Sequence, residues 1–237
     1  METQLIELKM QIFRLLRKGD LIGLKQLFEL NPDIVISALN EHAFCWTCAD
    51  GDLHIAQWLL QVKPDINISA YNEKAFRYAC EGCQLDVCKW LLQVKPDINI
   101  SALNEYAFRI ACSSGHLEVC QWLLQVSKEK GQDIDISALD ESAFYSVCYK
   151  VHLQVPRYLQ YLQVAQWLQS LKPYLYVIEY DEDGTIKDYR IREKEEANWE
   201  KRKYLVWLAS NECAEENKSN LLYKLPSDVS RMVIGFV

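Results

Sequence analysis

Glycine and proline are scarce in this chain, 8 and 6 among 237 residues, which excludes collagen-like and low-complexity architectures. Nowhere does an uncharged apolar run approach the ~18 to 20 residues of a membrane-spanning helix, so no membrane partner is expected. The first residues, Met1-Glu2-Thr3-Gln4, lack the basic start of a secretory leader, and none is predicted. Basic charge is also in deficit. Lys and Arg number 26 against 33 Asp and Glu, a net charge of −7, and the balance argues against nucleic acid as a partner. Histidine occurs four times, and no glycine-rich phosphate-cradling loop is present. What is plentiful is apolar residues, half of the chain, and cysteine, nine of them. An odd number of cysteines without an export signal predicts reduced thiols in a cytoplasmic setting.

Against this background one feature dominates, an internal repeat. Ala43-Phe44, Ala75-Phe76, Ala107-Phe108 and Ala143-Phe144 are spaced by 32, 32 and 36 residues. The same register carries Cys48, Cys80, Cys112 and Cys148, then Leu53, Leu85, Leu117 and Leu153, then Trp58, Trp90 and Trp122, each followed by Leu-Leu. Asp65-Ile66-Asn67-Ile68-Ser69 recurs at 97–101 and, with one change, at 133–137. A degenerate copy lies upstream, where Gly19-Asp20-Leu21 matches Gly51-Asp52-Leu53, and a distorted one runs from 138 to about 178. Each unit predicts two helices. Ala107, Phe108, Ala111 and Cys112 form one face of a first helix, Gly115 suits a left-handed turn, and Leu117, Val119, Cys120, Leu123 and Leu124 stripe a second. Pro64 and Pro96 stop the second helices, the Asp-Ile-Asn-Ile-Ser-Ala stretch is extended and leads through a hairpin-like loop, and Asn40, Asn72, Asn104 and Asp140 suit N-caps. So small a unit cannot bury its own core, so stacking is obligatory.

The run AFRIACSSGHLEVCQWLL at 107–124, closed upstream by Asp97-Ile98-Asn99, resembles an ankyrin repeat, and the resemblance extends over about 6–178. Units with Asn-Glu-x-Ala-Phe and Trp-Leu-Leu resemble the ankyrin repeats of large DNA viruses of amoebae, which would place the protein in host cytoplasm. The resemblance implies an all-α solenoid of about five repeats, near 6–37, 38–69, 70–101, 102–137 and 138–178. A C-terminal capping region, 179–237, would follow. It also implies a non-catalytic, monomeric protein that grips partner proteins by its concave face. Departures are visible. Arg77 and Arg109 stand where the family places the histidine of its Thr-Pro-Leu-His box. Cys83 and Val151 replace the turn glycine of two units. In the fifth unit both 152–159 and 162–168 fit the second-helix template, so that unit has a longer helix or an inserted turn, and Pro156 favours the first stretch as a helix start.

Beyond the repeats, 174–180 and 185–192 around the turn 181–184 predict an antiparallel hairpin, and 193–210 predicts a capping helix. The segment 221–237 contains Leu225, Pro226, Val229, Met232, Val233 and Phe236 in a pattern that resembles the opening helix of an F-box. That resemblance implies docking to the adaptor of a cullin–RING ubiquitin ligase. An ordinary helix start, with Ser227 as N-cap or Pro226 at its first position, explains the same letters.

Candidate chemistry is thin. Cys45-x-x-Cys48 and Cys80-x-x-Cys83 have the spacing of zinc half-sites, yet six of the nine cysteines fall in two repeat columns suited to a small core side chain. No metal, cofactor or catalytic group is predicted. The Trp series reads as a ladder stacked on the second helices, and His116 and His152 as bonding across loops. Columns that vary between copies are more informative. They comprise His42, Lys74 and Tyr106 before Ala-Phe; Cys45, Trp46, Arg77, Tyr78, Arg109 and Tyr145 after it; and Asp50, Glu81, Ser113 and Tyr149 at the turn. In ankyrin proteins such positions line the partner-binding face, and Tyr, Trp and Arg are hot-spot types. Neutral drift of exposed positions would give the same variation.

Overall fold

The computed structural model describes residues 2–31, 41–153, 157–173, 175–182, 184 and 186–192. The capping helix expected at 193–210 and all six F-box-like residues, Leu225 to Phe236, lie outside them. Ten helices are described, in pairs: α1 (Glu2–Arg17) and α2 (Leu21–Leu30), α3 (Glu41–Asp50) and α4 (Leu53–Val62), α5 (Ala70–Glu81) and α6 (Leu85–Val94), α7 (Ala102–Ser114) and α8 (Leu117–Glu129), α9 (Ala138–His152) and α10 (Tyr158–Leu171). An antiparallel hairpin, β1 (Tyr176–Tyr180) and β2 (Ile186–Ile191), follows as predicted.

The core is the repeat made visible. Ala43, Ala75, Ala107 and Ala143, with Phe44, Phe76, Phe108 and Phe144 beside them, are all buried, as are the cysteine columns. Small Ala and Cys side chains let α3, α5, α7 and α9 lie close against one another, whereas the second helices barely meet. A tighter inner layer and a wider outer one make the stack curve with the first helices on the concave side. The tryptophans do not form a ladder. Trp90, Trp122 and Trp167 each pack on the phenylalanine of the preceding unit, Phe44, Phe76 and Phe108, with centroids 6.2–6.3 Å apart. Neighbouring units are thus bonded ring to ring across the interface.

Three turns differ from expectation. The Asp-Ile-Asn-Ile-Ser loops form no strands. Asn67, Asn99 and Asp135 instead accept the N–H of Ser69, Ser101 and Ser137 in Asx-turns, while Ile66, Ile98 and Ile100 are buried. Asn72, Asn104 and Asp140 do not act as N-caps. Each is the middle of three consecutive left-handed residues, 71–73, 103–105 and 139–141, with φ between 53° and 60°. Asn and Asp tolerate that region better than other side chains, which is why the repeat keeps them there. In the fifth unit the helix runs on through Val151, and Arg157 takes the left-handed turn (φ 70°) before α10. Of the two candidate stretches 162–168 lies wholly within the second helix, which begins at Tyr158, so Trp167 occupies the column of Trp122; Pro156 lies outside the described residues.

Between first and second helices, Gly51 and Gly115 are left-handed (φ 87° and 80°), and the next N–H reaches back to the helix, as from His116 to the Ala111 carbonyl. Cys83 holds the same conformation with a side chain (φ 59°). Cys83→Gly is therefore expected to raise the unfolding free energy by about 1 kcal/mol. Urea denaturation checks it, and an unchanged midpoint would show the turn to be unstrained.

The turns are also tied across units. His116 donates its Nε2 hydrogen to the Glu81 carbonyl at 3.0 Å, the cross-loop role foreseen for it. Burial lowers the imidazole pKa below 6.5. The unfolded chain then takes up a proton near pH 6.5 that the folded chain resists, so stability is full above that pH and falls as pH drops below it. His116→Gln is expected to flatten that part of the pH–stability curve; a slope unchanged in the variant would clear His116 of the effect.

At the far end the hairpin takes the place of a next unit. Tyr176 stacks on Phe144 with centroids 4.1 Å apart and donates to Glu141, while Lys172 pairs with Glu141 and Ser137. Burial and the nearby carboxylate push the Tyr176 phenol far up, so it serves as a permanent donor.

Candidate functional site

The thiols fall away first. Cys45, Cys48, Cys80, Cys88, Cys112, Cys120 and Cys148 are buried, and Cys83 alone of the described cysteines is exposed. Cys80 and Cys88 approach to 3.6 Å between sulfurs and Cys112 and Cys120 to 3.4 Å, thiol pairs inside the helix hairpins. Burial pushes Cys45 up to about 11 and Cys148 to about 12, which keeps them as protonated core side chains. Among the described residues no three His, Cys, Asp or Glu side chains gather as a metal site would require.

The concave side is different in kind. A line of aromatic and cationic side chains crosses the units. Trp46 is 45% exposed and meets Phe13 of α1 edge-on at 5.9 Å. His42 packs against Tyr71 with ring centroids 4.4 Å apart and the planes tilted by 48°, and shares a 3.0 Å hydrogen bond with its hydroxyl. Lys74 lies over Tyr78 at 4.9 Å and Tyr71 at 5.6 Å. Arg77 covers Tyr106 at 4.7 Å, with Arg109 at 5.7 Å from the same ring. At the far end Tyr145 meets Tyr189 of β2 at 6.3 Å. Asp50, Glu81 and Tyr149 are exposed along the turn edge, and Lys150 crosses between units to donate to the Ser113 carbonyl.

Two of the sequence-selected residues do not face outward. Cys45 is 1% exposed, because its helix turns that position into the interface with the next unit. Arg77 is 7% exposed and anchored: its Nε donates to the Asn72 carbonyl at 2.7 Å and its Nη2 to Tyr71 at 2.9 Å. The guanidinium holds the left-handed turn. Arg109 does the same for the next one, at 2.7 Å to Asn104 and 3.2 Å to Leu103, but stays half-exposed. Lys74, Tyr78, Tyr106 and Ser113 are half-buried, and His42 and Tyr145 are exposed.

Sequence reasoning missed Tyr71, Phe13 and Tyr189. Tyr71 could have been found, since it breaks a column otherwise occupied by Leu39, Leu103 and Leu139. Phe13 and Tyr189 lie where the repeat is degenerate or has ended, so no column marks them. Next to Arg109 the surface dips into a hollow of about 180 Å³ lined by Tyr106, Arg109, Ile110, Ser113, Ser142 and Ser146. A wider cleft of about 630 Å³ runs past the starts of the second helices, where Asp52, Asp86 and Glu118 mix with His54 and Lys89.

Residues 44–92 and 76–124 match the family model of ankyrin repeats, which occur in many copies. A solved ankyrin repeat family protein from Legionella pneumophila is similar at 24% identity over 58% of this chain and 41% of that one, with a TM-score of 0.44. This chain therefore spans less than half of that relative's length. No curated protein sequence matches the chain. The fold is an ankyrin-repeat solenoid ending in a small hairpin. No described helix is long and apolar enough to cross a membrane.

Proposed function

We propose that this chain is a non-catalytic recognition module that binds partner proteins on the concave side of its repeats, as a monomer in the cytoplasm. The observation that carries the reading is the line from Phe13 and Trp46 to Tyr145 and Tyr189, aromatic and cationic side chains spread over all the units. Such residues supply contact area at low ordering cost when a rigid scaffold already fixes them. Here the paired side chains fix one another, so little entropy is lost on binding. The exposed members offered to a partner are His42, Trp46, Asp50, Glu81, Tyr145 and Tyr149, with Lys74, Tyr78, Tyr106, Arg109 and Ser113 beneath.

The test is affinity capture from eukaryotic lysate with the full chain, read by mass spectrometry. Trp46→Ala with Tyr145→Ala is expected to lower the recovery of captured proteins at least tenfold. Gln93→Ala with Gln125→Ala, exposed on the second helices, should leave it unchanged. An identical protein set from both variants would remove the concave face as the binding surface. Leu225-Pro226-Ser227-Asp228-Val229 favours a second reading, an adaptor that presents bound proteins to a host cullin–RING ligase, of the kind a virus would use. Leu225→Glu with Val229→Glu in the same capture should then remove the ligase subunits and spare the other proteins.

A further inference from the structure

Arg77 and Arg109 occupy equivalent positions one unit apart, and each guanidinium is fixed the same way, by Nε and Nη2 bonds to the carbonyls of a left-handed turn. What lies over them differs. The position that faces each guanidinium is the one before Ala-Phe in the following unit. For Arg77 that residue is Tyr106, whose ring centre is 4.7 Å from Cζ. For Arg109 it is Ser142, whose hydroxyl barely reaches Nη1 at 3.5 Å. A side chain the size of a phenol ring is missing from the second site, and a hollow of about 180 Å³ opens there instead.

We propose that this hollow takes an aromatic side chain of the bound protein, stacked on Arg109 as Tyr106 is stacked on Arg77. The site's own chemistry favours a ring over an acid. Ser113 and Ser146 give their hydroxyl hydrogens to helix carbonyls, Ile110 and Ala143 at 3.1 Å each, so they offer no donors to an anion. Asn104, Leu103 and Ser142 take three of the five N–H groups of the Arg109 guanidinium, one on each nitrogen, and its flat face remains open to contact. Ile110 and the Tyr106 ring supply apolar walls. A cation face flanked by apolar walls is an aromatic receptor.

The inference rests on the concave face being the recognition surface, and the two can fail separately. The probes are N-acetyl-tyrosinamide, N-acetyl-leucinamide and the N-acetyl amide of glutamate, titrated into the full chain while the Arg109 Nε–H resonance is followed by NMR. The tyrosine probe is expected to give a saturable shift with an affinity at least tenfold above the other two. Ser142→Tyr, which builds the missing ring into the chain, is expected to abolish that shift without lowering the melting temperature. Equal or tighter binding of the leucine or glutamate probe, or no saturable shift with tyrosine, overturns the proposal on the wild-type chain alone, whether or not the variant folds. A tyrosine shift that persists in a folded Ser142→Tyr chain overturns it as well. If the probes fail while Trp46→Ala with Tyr145→Ala still weakens protein capture, only the hollow loses its role. If both fail, the concave reading falls too.

Discussion

Phe108→Ala is expected to lower the unfolding free energy by about 3–5 kcal/mol and the melting temperature by roughly 10 °C. Phe108 is wholly buried, and its ring is one side of the Phe108–Trp167 pair that joins the fourth unit to the fifth. A repeat stack is stabilised mainly between neighbours, because no unit of this size buries a core alone. Truncation therefore removes transfer energy and leaves a cavity at a coupling point. The transition should broaden as well, since α9 and α10 would lose part of their tie to the rest. Urea unfolding followed by circular dichroism and tryptophan fluorescence reads both effects. In a double-mutant cycle with Trp167→Ala, the pair itself should contribute about 0.5–1.5 kcal/mol. A loss below 1 kcal/mol for Phe108→Ala would mean that the ring columns are not what couples the units.

Which parts of this fold are legible in the sequence follows from what the repeat does and does not encode. Identical letters at fixed spacing reveal buried columns, so Ala43, Phe44, Cys48 and their copies read directly as core. The partner of each column is a different matter. Trp122 meets Phe76 rather than Trp90 because of the shift from one unit to the next, a rigid-body quantity that no single unit spells out. The Asn-Glu pairs misled for a chemical reason: asparagine suits both an N-cap and a left-handed residue, and only the backbone tells them apart. Column variation singled out the concave face, and Trp46 and Tyr145 do stand exposed there, yet the same criterion swept in Cys45 and Arg77, which are buried. Variation between copies also arises where a side chain is fitted to one particular neighbour, as Arg77 is to Tyr106.

Arg77 is where structure and surface meet, and its removal is the second large effect expected. Three left-handed residues in succession cost of order 1–2 kcal/mol each for ordinary side chains. At 71–73 that cost is offset by the hydrogen bond that Glu73 accepts from the Asn99 N–H at 3.4 Å and by the two Arg77 hydrogen bonds. Arg77→Met keeps the length and apolar bulk but leaves the Tyr71 and Asn72 carbonyls without their donor, so a loss of about 2–4 kcal/mol is expected. Arg109→Met removes equivalent bonds at a half-exposed site where water can replace them, and about 1–2 kcal/mol is expected there. Arg77→Lys should recover little, because one ammonium cannot reproduce a planar fork aimed at two carbonyls. The fifth unit carries Tyr145 at this position, and there Glu141 is held instead by Tyr176 of the hairpin and by Lys172 at the end of α10. Tyr176→Phe should accordingly loosen the 139–141 turn and leave 71–73 untouched, a contrast that amide hydrogen exchange resolves. Equal losses for Arg77→Met and Arg109→Met would mean that burial plays no part in the brace. The open face of Arg109 would then have no more freedom to serve a partner than Arg77 has.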